Sequence, residues 1–163
     1  MVIKVAANHL QSIRTHAEST YPNECCGLLM GEIAGDIKTL VEVWPTENAW
    51  NPEVVETLPE MEFGDRLDRS KRDRFFIAPS AMLKAMKQGR DRNLTIIGIY
   101  HSHPDHPAIP SKCDRALAWP QYSYIIVSVR QGKAQDLNNW SLDGDGDFQS
   151  EEIITLPSTQ VKK

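Results

Sequence analysis

The sequence predicts a mixed α/β domain of the α+β type, with one mixed β-sheet flanked by helices. Three observations lead there. The chain has 163 residues, 40% hydrophobic and 25% charged, which suits a single globular domain over 1–163. Short apolar runs of strand composition recur at 25–30, 95–100 and 123–129. Between them, apolar residues repeat at helical spacing. A chain of this length can bury a core without disulfide or metal staples. It is too short for a (β/α)₈ barrel, which typically needs about 250 residues.

Ile3 to Val5 reads as a short strand. Asn8 is the expected N-cap of the first helix, with Gln11 as its capping-box partner. Leu10, Ile13, Ala17 and Tyr21 give that helix one apolar face, and Pro22 stops it. Glu24 opens the run Cys25 to Met30, nearly continuous in apolar residues, as in a strand covered on both faces. Gly35-Asp36 signals a hairpin turn, with Ile37 to Trp44 as the partner strand. Residues 46–74 then break the pattern. Pro52 and Pro59 interrupt them, Glu53, Glu56, Glu60 and Glu62 make an acidic patch, and Arg66, Arg69, Lys71, Arg72 and Arg74 a basic one. The stretch reads as a charged insertion: solvated padding, or a flap that helps hold a partner.

Phe75 to Ile77 is the expected returning strand, and Ser80 the cap of a helix carrying Met82, Leu83 and Met86 and ending at Gly89. Thr95 to Tyr100 is a buried strand by composition, Ser111 caps a third helix to about Ala118, and Ser123 to Val129 is another strand. Trp140 to Leu142 and Phe148 to Ile154 should pair across Asp143-Gly144-Asp145-Gly146. That turn hints at a calcium loop, but Phe148 stands where an EF-hand needs glycine and Ile154 where it needs glutamate, so a hairpin is the better reading.

Composition excludes several classes. A net charge of −4, from 18 basic and 22 acidic residues, gives no cationic surplus for a nucleic-acid backbone. No apolar run approaches the roughly 18 residues of a transmembrane helix, so no membrane partner is expected. The start Met-Val-Ile-Lys-Val lacks the apolar region of a secretory signal. Three cysteines, two of them adjacent, make a poor disulfide framework and point to a reducing compartment. Cytoplasmic location is the expectation.

The chemistry is concentrated in one window. Of five histidines, three fall at 101, 103 and 106. On an extended backbone His101 and His103 point to one face, a start for a zinc site or simply two satisfied polar groups at a strand end. Asp114, in the first turn of a helix beginning at Ser111, is a candidate third ligand. His₂Asp would leave a fourth position open for water, as in a catalytic rather than a structural zinc site. The pair Ser111 and Asp114 equally fits plain helix capping, Ser-x-x-Asp. The string His101-x-His103-x-Asp105-His106 also matches the metallo-β-lactamase pattern, but no histidine follows His106. No His-Glu-x-x-His occurs, which excludes a zincin.

Taken with Glu24-Cys25-Cys26-Gly27, the window His101-Ser102-His103-Pro104, then Ser111 and Asp114, resembles the JAMM motif. That motif marks the catalytically competent (MPN+) members of the JAB/MPN/Mov34 metalloprotease family, and the resemblance covers roughly residues 3 to 155. It implies a cytidine-deaminase-like JAB/MPN fold and a Zn²⁺ cofactor held by His101, His103 and Asp114. It implies Glu24 as the general base that holds the attacking water and later protonates the leaving amine. Ser111 would donate a hydrogen bond to the oxyanion. The implied substrate is the C-terminal tail of a ubiquitin-like or sulfur-carrier protein, cut after its terminal glycine. Small bacterial-type standalone members are closest in length. The alternative is a non-catalytic MPN-type interaction module, although such modules typically lose some of these ligands and here none is lost. Cys26 shares strand parity with Glu24, and Cys113 precedes Asp114. Both read as small, inert side chains or as thiols near the site.

Overall fold

The computed structural model describes residues 1–51, 71, 72 and 74–158, without the side chains of 113, 116 and 117. Most of the charged stretch, 52–70 and Asp73, and the Cys113 side chain lie outside the described residues. The elements run β1 (Val2–Ala6), α1 (Ala7–Thr20), β2 (Cys26–Ala34), β3 (Ile37–Thr46), α2 (Pro79–Arg90), β4 (Thr95–Pro104), α3 (Lys112–Leu117), β5 (Ser123–Arg130), β6 (Lys133–Leu142), β7 (Phe148–Ser150) and β8 (Glu152–Leu156). None of the described helices is long and apolar enough to cross a membrane.

The eight strands among the described residues form one sheet in the order β7-β6-β5-β4-β2-β3-β1-β8. It is mixed: β4–β5, β1–β3 and β1–β8 are parallel, the other pairs antiparallel. The expected fold class is what the chain adopts. β7 and β8 lie at opposite ends of this order, yet only Glu151 separates them in sequence. The sheet must therefore curl until its two edges meet at Glu151.

That seam is pinned by a buried polar network. Lys38 Nζ donates to Ser123 Oγ at 2.8 Å and lies 4.0 Å from Glu151 Oε2, both side chains 2% exposed. The Ser123 hydroxyl donates to Glu151, as does Asn139 Nδ2 at 2.9 Å. Burial lowers the Lys38 pKa, and the Glu151 charge opposes that shift. Removing one member of such a pair leaves a charge buried without its counterion. Lys38→Met is therefore expected to cost about 3–5 kcal/mol, read as a drop in the urea midpoint with the slope unchanged.

The two faces of the sheet carry separate cores. Ile13 and Ala17 of α1 pack with Ile3, Val5, Leu29, Ile97, Tyr100 and Val127 on one side. Ala85 and Met82 of α2 pack with Leu28, Met30, Ile96, Ile99 and Tyr124 on the other. Strict alternation cannot place Ile97 and Tyr100 on one face. A β-bulge does so: Leu29 pairs with Gly98 and Met30 with Ile96, leaving Ile97 as an extra residue on β4. Gly98 permits β5 to approach, since a Cβ there would lie 2.3 Å from the Ser123 carbonyl oxygen. The bulge sets the phase of everything after it. Tyr100 and Ser102 turn toward α1, where His16 Nδ1 meets the Tyr100 hydroxyl at 2.8 Å. His101 and His103 turn toward α2.

Several local expectations are corrected. α1 begins at Ala7 with Ala6 as N-cap and no side-chain cap, so Asn8 lies inside the helix rather than capping it. α2 has Ala78 as N-cap and Pro79 in its first turn, not a Ser80 cap; the fixed φ of proline prepares the helix start instead. Residues 75–77, expected as a returning strand, pair with no strand among the described residues. β6 reaches back to Lys133, because pairing with β5 sustains its polar residues, and β8 leaves the hairpin to pair with β1.

Candidate active site

The site forms where β4 ends, β2 begins and α3 starts. β4 carries both histidines on its α2 side, 1% and 8% exposed. Their Nε2 atoms face each other at 3.2 Å. α3 brings Asp114 against the pair, with Oδ1 3.1 Å from His101 Nε2 and Oδ2 3.1 Å from His103 Nε2. Glu24 is 4% exposed and lies just before β2, whose Cys26 pairs with His101. One carboxylate oxygen of Glu24 and one nitrogen of each imidazole all lie within 4.8 Å of one another.

The α3 start is built as the sequence suggested. Ser111 Oγ accepts from the Asp114 N–H at 3.1 Å, and Asp114 Oδ2 accepts from the Ser111 N–H at 2.8 Å, a reciprocal capping box. Capping and site placement are therefore not alternatives, since the cap holds the Asp114 carboxylate against the imidazoles. Accepting from Asp114 uses a lone pair of Ser111 Oγ and not its proton. His103 Nδ1 lies 2.8 Å from the Pro107 carbonyl, which can only accept. Its proton therefore sits on Nδ1 in the neutral ring, and the bare Nε2 lone pair faces Asp114 and His101. His101 Nδ1 is buried without a hydrogen-bond partner among the described residues. Its ring is held instead by Phe75, stacked at 4.3 Å and 23°.

Electrostatics follow from that packing. Burial opposes ionisation of Asp114, yet the two imidazoles hold its carboxyl well below the usual carboxylate range. Burial lowers the pKa of His101 against the pull of Asp114. For His103, burial is outweighed by its hydrogen bond to Asp114 and that carboxylate's charge, so its pKa is raised.

These residues fit a small divalent cation. Ligand atoms around a tetrahedral zinc with bonds of about 2.0–2.1 Å stand roughly 3.3–3.4 Å apart. The two Nε2 atoms here stand 3.2 Å apart, and each lies 3.1 Å from a different oxygen of the Asp114 carboxylate. An imidazole nitrogen and a carboxylate at contact share a cation, a proton on Nε2 or a metal ion in its place, and an outer N–H given to a backbone carbonyl is the usual support of a metal-ligating histidine. Glu24 also falls in the metal-capable group with the two histidines. The Asp114 oxygens contact both Nε2 atoms.

The structure thus brings together Glu24, His101, His103, Ser111 and Asp114. His106 is exposed and outside the cluster; its carbonyl accepts from Ser128 Oγ at 2.6 Å. Cys26 is buried, with its thiol 3.6 Å from the Glu47 carbonyl, and burial pushes its pKa up to about 11. Burial pushes Cys25 up to about 12. Neither is a nucleophile near neutral pH. Two site neighbours were not singled out in the sequence, Phe75 and Asn48. Phe75 looked like part of a strand, and Asn48 sits at the start of the charged stretch with no motif around it.

Beside the metal-capable cluster lies an apolar cleft of about 680 Å³. His101 and Asp114 form one wall, with Phe75, Met82, Trp119 and Tyr122 among the others. Trp119 is 57% exposed at its rim.

The fold and this cluster define a class, and comparison with known proteins agrees. The profile of prokaryotic homologues of the JAB domain matches residues 6–143. The chain therefore belongs to the prokaryotic JAB branch of the JAB/MPN family. It is 31% identical over 132 residues to a desampylase of Haloferax volcanii, covering 77% of this chain and 80% of that protein. It is 26% identical over 142 residues to a CysO-cysteine peptidase of Mycobacterium tuberculosis, covering 86% and 83%. A solution structure of a protein from Desulfitobacterium hafniense superposes with a TM-score of 0.75 at 29% identity, over 96% of this chain and 94% of that one.

Proposed function

We propose that this chain is a zinc-dependent peptidase or isopeptidase that cuts after the C-terminal glycine of a ubiquitin-like or sulfur-carrier protein. The observation that carries this reading is the triangle of His101, His103 and Asp114, with Glu24 beside it. The names of the relatives, a desampylase and a CysO-cysteine peptidase, support the substrate class. His101, His103 and Asp114 would hold the ion. When bound, zinc lowers the pKa of a water to about 7 and so supplies hydroxide at neutral pH.

The remaining chemistry falls to the chain's own groups. The Glu24 carboxylate accepts the proton of the attacking water and returns it to the departing amine, without which the carbon–nitrogen bond cannot break at neutral pH. The Ser111 hydroxyl donates to the substrate carbonyl oxygen as it gains negative charge. The apolar cleft suits an apolar tail residue next to the scissile bond, and glycine at that bond lets the backbone approach the buried cluster.

The chain is read as one JAB domain over 1–163 with a charged insertion at about 46–74. Free, buried Cys25 and Cys26 fit a reducing cytoplasm. The net charge of −4 fits a protein partner rather than nucleic acid.

Incubation of the zinc-loaded protein with a C-terminally extended sulfur carrier from the same genome tests the reading, with product masses as the readout. A carrier ending at its glycine is the expected product. A stable complex with an uncut carrier would instead establish the non-catalytic module.

A further inference from the structure

We infer that Asn48 is a positioning residue that sets both Glu24 and the Phe75–His101 stack. This rests on the roles given above to Glu24 and His101. An asparagine amide offers two donors and two acceptor lone pairs, and Asn48 uses all four. Its Nδ2 donates to the Glu24 carbonyl at 3.1 Å and the Arg74 carbonyl at 3.0 Å. Its Oδ1 accepts from the Trp50 N–H and the Phe76 N–H, each at 3.1 Å. One side chain therefore joins the residues before β2, those after β3 and those before α2.

The two targets are those the chemistry needs. Glu24 stands outside β2, so no strand ladder holds it. Its main-chain N–H donates to the Lys71 carbonyl at 2.6 Å, and its carbonyl accepts from Asn48. Phe75 lies between the two residues that Asn48 binds on that side, Arg74 through its carbonyl and Phe76 through its N–H. The Ala49 N–H, donating to the Phe76 carbonyl at 2.8 Å, secures the same crossing. The Phe75 ring then packs on His101, whose Nδ1 has no hydrogen-bond partner among the described residues. Asn48 thus orients the base through its backbone and a metal-capable imidazole through a ring, while touching neither reacting group.

Two variants separate its two halves. Asn48→Asp keeps an oxygen for Trp50 and Phe76 but removes the donors to Glu24 and Arg74. Asn48→Ala removes both halves. In the metal-free full chain, NMR follows the Glu24 backbone amide and the His101 ring protons, which sit in the ring current of Phe75. Asn48→Asp is expected to move the Glu24 signal and to shift His101 less, since Phe76 keeps its acceptor while Arg74 loses its donor, whereas Asn48→Ala moves both fully. With zinc-loaded protein and a glycine-tailed carrier, both variants should lose about 10–100-fold in kcat with KM within about twofold, as is typical for outer-shell partners. Unmoved Glu24 and His101 signals in Asn48→Ala would overturn the inference whatever the activity. So would wild-type kcat in Asn48→Asp. If Asn48→Ala does not fold, Asn48→Asp decides alone. Absence of cleavage by the wild type itself would sink the functional reading instead, and the metal-free spectra would still judge Asn48.

Discussion

Glu24→Gln is expected to keep its metal and lose about 10²–10⁴-fold in turnover, the range that general acid–base catalysis supplies. The substitution is isosteric, so the packing of this 4% exposed side chain is preserved. Its backbone contacts, to Lys71 and Asn48, do not involve the side chain and are unchanged. What disappears is the capacity to take a proton from the attacking water and give it to the leaving amine. The loss should appear in kcat, because the proton moves only in the chemical step. Metal content measured on the same sample separates this from loss of the ion. Retained turnover with retained metal would remove Glu24 from the base role.

Asp114→Asn should abolish tight zinc binding, and turnover with it. Asp114 supplies the negative charge that faces both imidazoles, each at 3.1 Å. Asparagine keeps the shape and an oxygen for the Ser111 N–H, so the α3 cap survives. Asp114→Ala would also lose that cap, at about 1 kcal/mol. Two neutral imidazoles and an amide are a poor donor set for a divalent cation in a buried site. Elemental analysis should fall from about one zinc per chain to under roughly a tenth, as expected when one of three protein ligands is removed. Full stoichiometry in Asp114→Asn would show that the ion, if bound, is held by another set, such as Glu24 with the two histidines.

How much of this was legible in the sequence depends on the range of the forces involved. The histidine pair, Ser111 and Asp114 could be read because period-two alternation and helix capping are local rules. The apolar runs at β2, β4 and β5 could be read because a strand covered on both faces needs little polar sequence. Glu24 was legible only through the family motif, since a lone glutamate before a strand carries no local signal. The caps of α1 and α2 misled because Asn8 and Ser80 are good caps in isolation, and the chain starts both helices earlier. The Ile97 bulge was invisible, because it arises from pairing between β2 and β4. So was the seam at Glu151, whose partners Lys38, Ser123 and Asn139 come from three different strands. Asn48 and Phe75 belong to the same class: their roles exist only once three distant segments meet.

The most direct test of the central claim is cleavage of a glycine-tailed carrier by the wild-type chain, before and after a chelator and again after zinc is restored. Product ending at glycine is expected from the loaded protein, none after chelation, and recovery with about one equivalent of zinc. Undiminished cleavage by the metal-free protein would contradict the claim.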